Sequence, residues 1–236
     1  MPVGKNISVL GVITARGGSR GIPRKNIMDL LGKPLIAYTI DAAKKSQLLT
    51  SCLVSTDDEE IGAVCKKLGA DVPFMRPKEL AEDASASVDV LIHALEWVKE
   101  HRNETFDYAM ILQPTSPLRT AEDIDSAISI AAQTGADSVM SMVELIDFSV
   151  PKLKRIEGDK ILPLFENEGK QSAHRTEGDP VYKRNTAIYL TKTEFLKKRD
   201  LFGIDSRAYI MPRDRSVDIN DAVDWYIAAA LLKTRN

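Results

Sequence analysis

Cysteine is scarce in this chain of 236 residues: Cys52 and Cys65 are the two present, both in apolar settings and well apart in sequence. Neither a disulfide framework nor a cysteine-rich zinc site is therefore available, and a reducing, cytoplasmic setting is expected. No apolar run approaches the roughly 20 residues that a bilayer span requires. Residues Met1 to Asn6 lack the charged-then-apolar order of a secretory signal. Charge of one sign is also missing, since 32 Lys and Arg against 34 Asp and Glu leave a net charge of -2. That balance argues against a general nucleic-acid binder. Histidine is rare, and neither His93 nor His101, both in one helical stretch, is expected to be a catalyst; His174 is noted beside Arg175. No internal repeat, low-complexity tract or linker divides the chain, so residues 1–236 are read as one domain.

What is present is ordinary globular usage, 28% charged and 44% hydrophobic, in an ordered alternation. Short apolar runs expected as strands fall at Ile7–Thr14, Cys52–Ser55, Val72–Met75, Tyr108–Leu112 and Ser138–Met142. Amphipathic stretches at Pro34–Ser46, Asp58–Leu68, Ser85–His101 and Ala121–Thr134 read as the helices between them. Such βα repetition predicts an α/β fold, a three-layer α/β/α arrangement around a mostly parallel central sheet. Asp57, Asp58 and Thr120 carry helix-capping chemistry ahead of acidic first turns. From Ile146 to about Arg184 the pattern becomes polar and turn-rich, which reads as an extended arm rather than another βα unit. Strands at Thr186–Leu190 and Ala208–Met211 and helices at Thr193–Arg199 and Asp221–Leu232 follow.

Directly after the first strand comes Ala15-Arg16-Gly17-Gly18-Ser19-Arg20-Gly21-Ile22-Pro23-Arg24-Lys25-Asn26. Glycines let successive backbone N–H groups approach an anion, and Arg16, Arg20, Arg24 and Lys25 add positive charge, so a polyphosphate is the expected guest. The string contains neither GxxxxGK followed by Ser or Thr nor GxGxxG. Kinase, GTPase and dehydrogenase readings thereby lose their main support.

The whole string resembles the signature loop of the acylneuraminate cytidylyltransferase family, the enzymes that make CMP-activated nonulosonic acids. Further matches occur in order at Val54-Ser55-Thr56-Asp57, Arg76–Asp83, Leu112-Gln113-Pro114-Thr115-Ser116-Pro117-Leu118-Arg119, Asn185–Tyr189 and Ser216-Val217-Asp218-Ile219-Asn220. The resemblance implies a Rossmann-like nucleotidyltransferase fold with an arm that dimerises. It implies transfer of CMP from CTP to the anomeric hydroxyl of a nonulosonic acid of the neuraminate, legionaminate or pseudaminate type, with release of pyrophosphate. Magnesium or manganese is the implied cofactor, and CTP, the sugar acid and a second copy of the chain are the implied partners.

Residue by residue, Arg16 and Lys25 match the triphosphate-gripping cations, with Ala15, Gly17, Gly18, Ser19 and Asn26 beside the nucleotide. Arg76 matches the Arg that reads cytosine, and Ser87 the Ser near the nucleotide. Gln113 stands where ketodeoxyoctonate-activating relatives carry an acid, which favours a nine-carbon acceptor. Arg175, Tyr182, Lys183 and Asn185 fall in the acceptor region, where Lys183 or Arg184 replaces a second family Arg and Thr186 stands where Gly is common. At the metal position the family's Asp-x-Asp becomes Asp218-Ile219-Asn220, so Asn220 ligates without charge, or the metal shifts to Asp218 alone or recruits another acid such as Asp221, or Asn220 chiefly caps the last helix. Arg20 and Arg24 either assist at the triphosphate or are solvated. Competing readings are an eight-carbon acceptor, a different nucleotide such as GTP, or a non-catalytic nucleotide-binding relative.

Overall fold

A computed structural model describes residues 6–18, 21–82, 87–146, 153–164 and 180–235. The first apolar run forms β1 (Val9–Thr14), buried from Val9 to Ile13. A short hairpin, β2 (Asp29–Leu30) and β3 (Lys33–Pro34), leads into α1 (Leu35–Lys45). Then follow β4 (Ser51–Ser55), α2 (Glu59–Lys67), α3 (Ser87–Arg102), β5 (Tyr108–Leu112), α4 (Ala121–Thr134) and β6 (Ser138–Glu144). The remainder consists of a hairpin, β7 (Lys154–Glu157) and β8 (Lys160–Pro163), then β9 (Tyr182–Lys192), α5 (Thr193–Leu196), β10 (Ser206–Ile210) and α6 (Ala222–Lys233).

The central sheet runs β10-β6-β9-β5-β1-β4. It is mostly parallel, but β9 lies antiparallel to both β5 and β6. Alternation along β1 sends Val9 and Ile13 into a core with Ile36, Ile61 and Ile124 of α1, α2 and α4. Leu10 and Val12 enter the opposite core with Leu91, Ala94 and Val98 of α3. Both faces are thus covered, as a parallel sheet requires. Since β1 pairs with β4 on one side and β5 on the other, the chain reverses its direction of sheet growth there. Open α/β sheets bind ligands at the carboxyl ends of strands beside such a switch.

Three expectations need correction. Val72–Met75 is no strand, because Pro73 removes a ladder donor and only Met75 makes a bridge, to Thr56. The helix expected over Thr193–Arg199 closes at Leu196, and Arg199 turns left-handed at φ 58°. The arm ends earlier than Arg184, because Tyr182, Lys183 and Arg184 pair with Glu144, Val143 and Met142 of β6. Ser19, Arg20, His174 and Arg175 lie outside the described residues. Among the described residues no helix is long and apolar enough to cross a membrane.

Candidate active site

A cleft of about 410 Å³ opens at the carboxyl ends of β1 and β5, lined by Arg16, Lys25, Asn26, Arg76, Gln113 and Asn220. Ser87, the exposed first residue of α3, lines it as well. A second cleft, about 770 Å³, shares Asn220 and takes in Lys183, Arg184, Asn185 and Asp218. Tyr182, expected near the acceptor, is exposed and lines neither.

The glycine loop is shaped by acids as much as by glycines. Gly17 donates its N–H to Asp57 Oδ1 at 3.0 Å, and a Cβ there would sit 2.6 Å from Asp58 Oδ2. Gly18 faces open space. Gly21 passes so close to the Asp218-Ile219-Asn220 segment that a Cβ would lie 2.1 Å from the Asn220 carbonyl oxygen. Arg24 adopts φ 57° and pairs with Asp58 at 2.5 Å and with Glu60. Its charge therefore fastens the loop to the start of α2, where Asp58 caps the helix by accepting from Ile61 N at 3.0 Å. Asn26 Nδ2 donates to Arg16 O at 3.1 Å.

Lys25 is buried and donates from Nζ to Ile219 O at 2.6 Å. Burial pulls its pKa below the usual lysine value, while Asp218 and Asp224 oppose the shift and Arg16 adds to it. Arg76 is buried too, donating from Nε to Ser55 Oγ at 3.0 Å and from Nη2 to Ser55 O. Burial pushes its guanidinium down to about 10, against the attraction of Asp57. Arg76 thus remains cationic at neutral pH, giving the cleft a fixed positive charge.

Gln113 directly follows β5, and its carbonyl accepts from Arg119 Nη1 at 3.1 Å. Arg119 also donates to Ala187 O at 2.8 Å and Thr39 Oγ1 at 2.7 Å. Burial pushes it down to about 10. It was missed as a site-building residue, since a cation after Pro117 and Leu118 gives no sign that it will point inward. The Gln113 side chain accepts from Thr115 Oγ1 at 3.3 Å, and Thr115 O accepts from Ile219 N at 2.8 Å.

The Asp218 segment is held from below. Arg215 makes a double contact with buried Asp123, Nη2–Oδ1 2.7 Å and Nε–Oδ2 3.0 Å. Tyr209 donates to the same carboxylate at 2.7 Å. Burial pushes the Asp123 pKa up, but Arg215, Thr120 N–H and Tyr209 together hold it below the usual range. Next along, Ser216 Oγ accepts from Asn185 Nδ2 at 2.9 Å, and Asn185 Oδ1 accepts from Ser141 at 2.5 Å. Both polar ends of Asn185 are engaged by the protein, so its amide braces this segment.

Asp218 Oδ1 is buried with no hydrogen-bond partner among the described residues. Its other oxygen, Oδ2, accepts from Asn220 Nδ2 at 3.1 Å. The helix-cap alternative for Asn220 is corrected: Asp221 caps α6 by accepting from Val223 N and Asp224 N, with Asp224 completing the reciprocal box. Among the described residues no group of three or more His, Cys, Asp or Glu gathers to hold a metal. An orphaned carboxylate oxygen beside a phosphate-type loop nevertheless fits a hard divalent cation whose other ligands come from phosphate oxygens and water.

Residues 10–215 match the cytidylyltransferase family. The chain is 33% identical to N-acylneuraminate cytidylyltransferase of Escherichia coli over 231 residues, 97% of this chain and 53% of that protein, so it spans about half of that relative. It is 30% identical over 227 residues to a pseudaminic acid cytidylyltransferase of Campylobacter jejuni, covering 96% of this chain and 97% of the relative. It is 33% identical over 235 residues to the CMP-N,N'-diacetyllegionaminic acid synthase of Legionella pneumophila, covering 95% and 96%. The fold is similar to that of a CMP:2-keto-3-deoxy-manno-octonic acid synthetase solved with CTP, with a TM-score of 0.71 at 16% identity over 97% of this chain and all of that one. With its sequence matched across most of its length, the chain belongs to the cytidylyltransferase family, enzymes of the nucleotidyltransferase class.

Proposed function

We propose that this chain transfers CMP from CTP to the anomeric hydroxyl of a nonulosonic acid. The observation that carries the reading is the convergence of Arg16, Lys25 and Arg76 on one cleft, with the Asp218 carboxylate behind it. In the reaction a bond forms between the anomeric oxygen and the α-phosphorus of CTP. The bond from that phosphorus to the β-phosphate oxygen breaks, pyrophosphate leaves, and the hydroxyl proton passes to solvent. Chemistry of this kind depends on alignment and on neutralising phosphate charge.

Lys25 and Arg16 bind the triphosphate, the Lys25 ammonium held in place by Ile219 O. Arg76, fixed by Ser55 through Nε and Nη2, reads the cytosine carbonyl with its remaining N–H groups, which a base lacking that acceptor leaves unsatisfied. Gln113 orients the acceptor at the rim, its main chain fixed by Arg119. Lys183, on the wall of the larger cleft, answers the acceptor's carboxylate. Asp218 would hold magnesium or manganese, which supplies charge neutralisation at the triphosphate oxygens.

A homodimer in the cytoplasm completes the reading. The β7–β8 hairpin supports assembly, since its paired Ile156 and Ile161 are 62% and 69% exposed. Sedimentation of the purified chain tests that part. Pyrophosphate release with magnesium tests the reaction, crossing CTP, UTP, GTP and ATP against neuraminate, legionaminate, pseudaminate and ketodeoxyoctonate. Release with CTP and one nonulosonate is the expected outcome. Tight CTP binding with no release from any pair would instead favour a nucleotide-binding subunit, and release only with ketodeoxyoctonate would move the acceptor to eight carbons.

A further inference from the structure

The family pattern places two acids at the metal position, and this chain has one. We propose that Asn220 is a positioning residue that holds Asp218 in place, so that a divalent cation meets a single protein side-chain oxygen, Asp218 Oδ1, and is bound as the metal–triphosphate complex. The inference rests on the cytidylyltransferase reading and specifies how its metal is taken up.

The geometry is local and complete. Asn220 turns its Nδ2 toward residue 218, donating to Asp218 Oδ2 and to the Asp218 main-chain oxygen, each at 3.1 Å. The amide end that faces Asp218 is therefore the nitrogen, a donor with no lone pair for a cation, and not the oxygen. The Asn220 main-chain N–H is occupied by Asp224 Oδ2 at 2.8 Å, and its main-chain carbonyl is covered by Gly21. Asp218 Oδ1, by contrast, has no hydrogen-bond partner among the described residues although it is buried. A buried anionic oxygen left without a donor is costly unless a ligand supplies the missing contact. With Oδ2 taken by the clamp, Oδ1 is the oxygen of Asp218 that no group among the described residues uses.

The second carboxylate that would raise charge at the cation is absent, and Asp224 is committed to the α6 cap by accepting from Asn220 N and Asp221 N. Nearby Lys25, donating to Ile219 O between the two residues, adds a positive charge that opposes uptake of a bare cation. CTP would reverse that balance by bringing its own negative oxygens. Metal affinity tracks the number of charged ligands, so the free protein should hold the cation poorly and the CTP complex well.

The test counts ligands on manganese, used in place of magnesium, by electron paramagnetic resonance of the full chain. Without nucleotide, the wild-type protein is expected to leave Mn2+ free up to about 1 mM, whereas Asn220→Asp binds it at least about tenfold more tightly by adding a second carboxylate. With CTP bound, the number of waters on Mn2+, read from the broadening caused by 17O-water, is expected to be equal in wild type and Asn220→Ala. One additional water in Asn220→Ala, with a further one when Asp218→Ala is added to it, would show that Asp218 still ligates and that the amide oxygen is a second ligand, and would overturn the proposal. Wild-type Mn2+ binding as tight as that of Asn220→Asp in the absence of nucleotide would overturn it as well. Asn220 is exposed, so neither variant should fail to fold. CTP binding by calorimetry is measured in parallel: its absence in wild type, with and without metal, would overturn the nucleotide reading and this inference together. Binding of CTP with both of those additional waters would overturn only the inference.

Discussion

The Lys25 ammonium donates to the main-chain carbonyl of Ile219 at 2.6 Å, joining two segments 194 residues apart in sequence. Through this bond the loop after β1 and the segment carrying Asp218 are set relative to one another before any ligand arrives. Preorganised charge of this kind lowers a barrier because no reorganisation is needed during the reaction.

Lys25→Met should therefore lower kcat/KM for CTP by about 100- to 1000-fold, the range seen when one charge-stabilising donor is removed. Because burial lowers the Lys25 pKa, the alkaline limb of kcat/KM should begin below 10.5. Lys25→Arg should move that limb upward while keeping part of the activity. An unmoved limb would assign it to another group, such as Arg76 at about 10. Stability runs the other way. Below its folded pKa the buried ammonium burdens the fold, and the burden eases as pH rises toward 10.5. The stability of wild type relative to Lys25→Met, followed by urea unfolding, should accordingly increase across that alkaline range.

Gly21→Ala is predicted to injure function with little effect on the cores. A Cβ at that position would meet the Asn220 carbonyl oxygen at 2.1 Å, so the loop must withdraw from the Asp218 segment. A displacement of about 1 Å near reacting groups can cost about 100-fold in rate. Gly62→Ala on α2 is the matched control, because its Cβ meets only ordinary contacts, the nearest Thr56 Cγ2 at 3.7 Å. Turnover and thermal melting of the two variants check the claim, which fails if Gly21→Ala turns over at the wild-type rate.

Much of this arrangement was readable in the residues, and the unread parts have physical reasons. Thr120 before an acidic turn and an apolar period marks α4 unambiguously, because capping and periodicity agree. β9 was legible as a strand but not as an antiparallel one, since alternation encodes which face a residue takes and says nothing about strand direction. Arg16, Lys25, Asn26, Arg76 and Gln113 were placed together by motif order, and they share one cleft. Arg24 was not assignable, because its partners Asp58 and Glu60 lie a whole βα unit away. The cap of α6 falls on Asp221, one residue after the expected Asn220, because both residue types are good caps and only backbone geometry separates them.

Arg215→Met should destabilise the protein by about 3–5 kcal/mol, because it leaves the Asp123 carboxylate buried without its cation. Asp123 has a depressed pKa in the fold, so it contributes stability above the ordinary value of 3.8 that is lost as pH falls through the folded value. Loss of Arg215 removes a main cause of that depression and should shift acid unfolding to higher pH. Circular dichroism of both proteins across an acid titration measures the shift. Coincident titration curves would mean that the pair contributes nothing to holding the fold.

Thr186 presents the opposite case, a residue whose replacement should improve the fold. It sits at φ 63° beside the register shift between Met140 and Met142, where β9 bulges against β6. A left-handed backbone costs an L residue about 1–2 kcal/mol, and a β-branched side chain fits there poorly. Its hydroxyl is also buried without a partner among the described residues, adding a desolvation cost that glycine would not carry. Against these gains stands the extra freedom glycine gives the unfolded chain, about 0.5–1 kcal/mol. Thr186→Gly should thus be stabilising by about 1 kcal/mol, a rise of about 2–4 °C in Tm for a chain of this size. A fall in Tm on thermal melting would show that the Thr186 side chain makes a favourable contact outweighing its backbone strain.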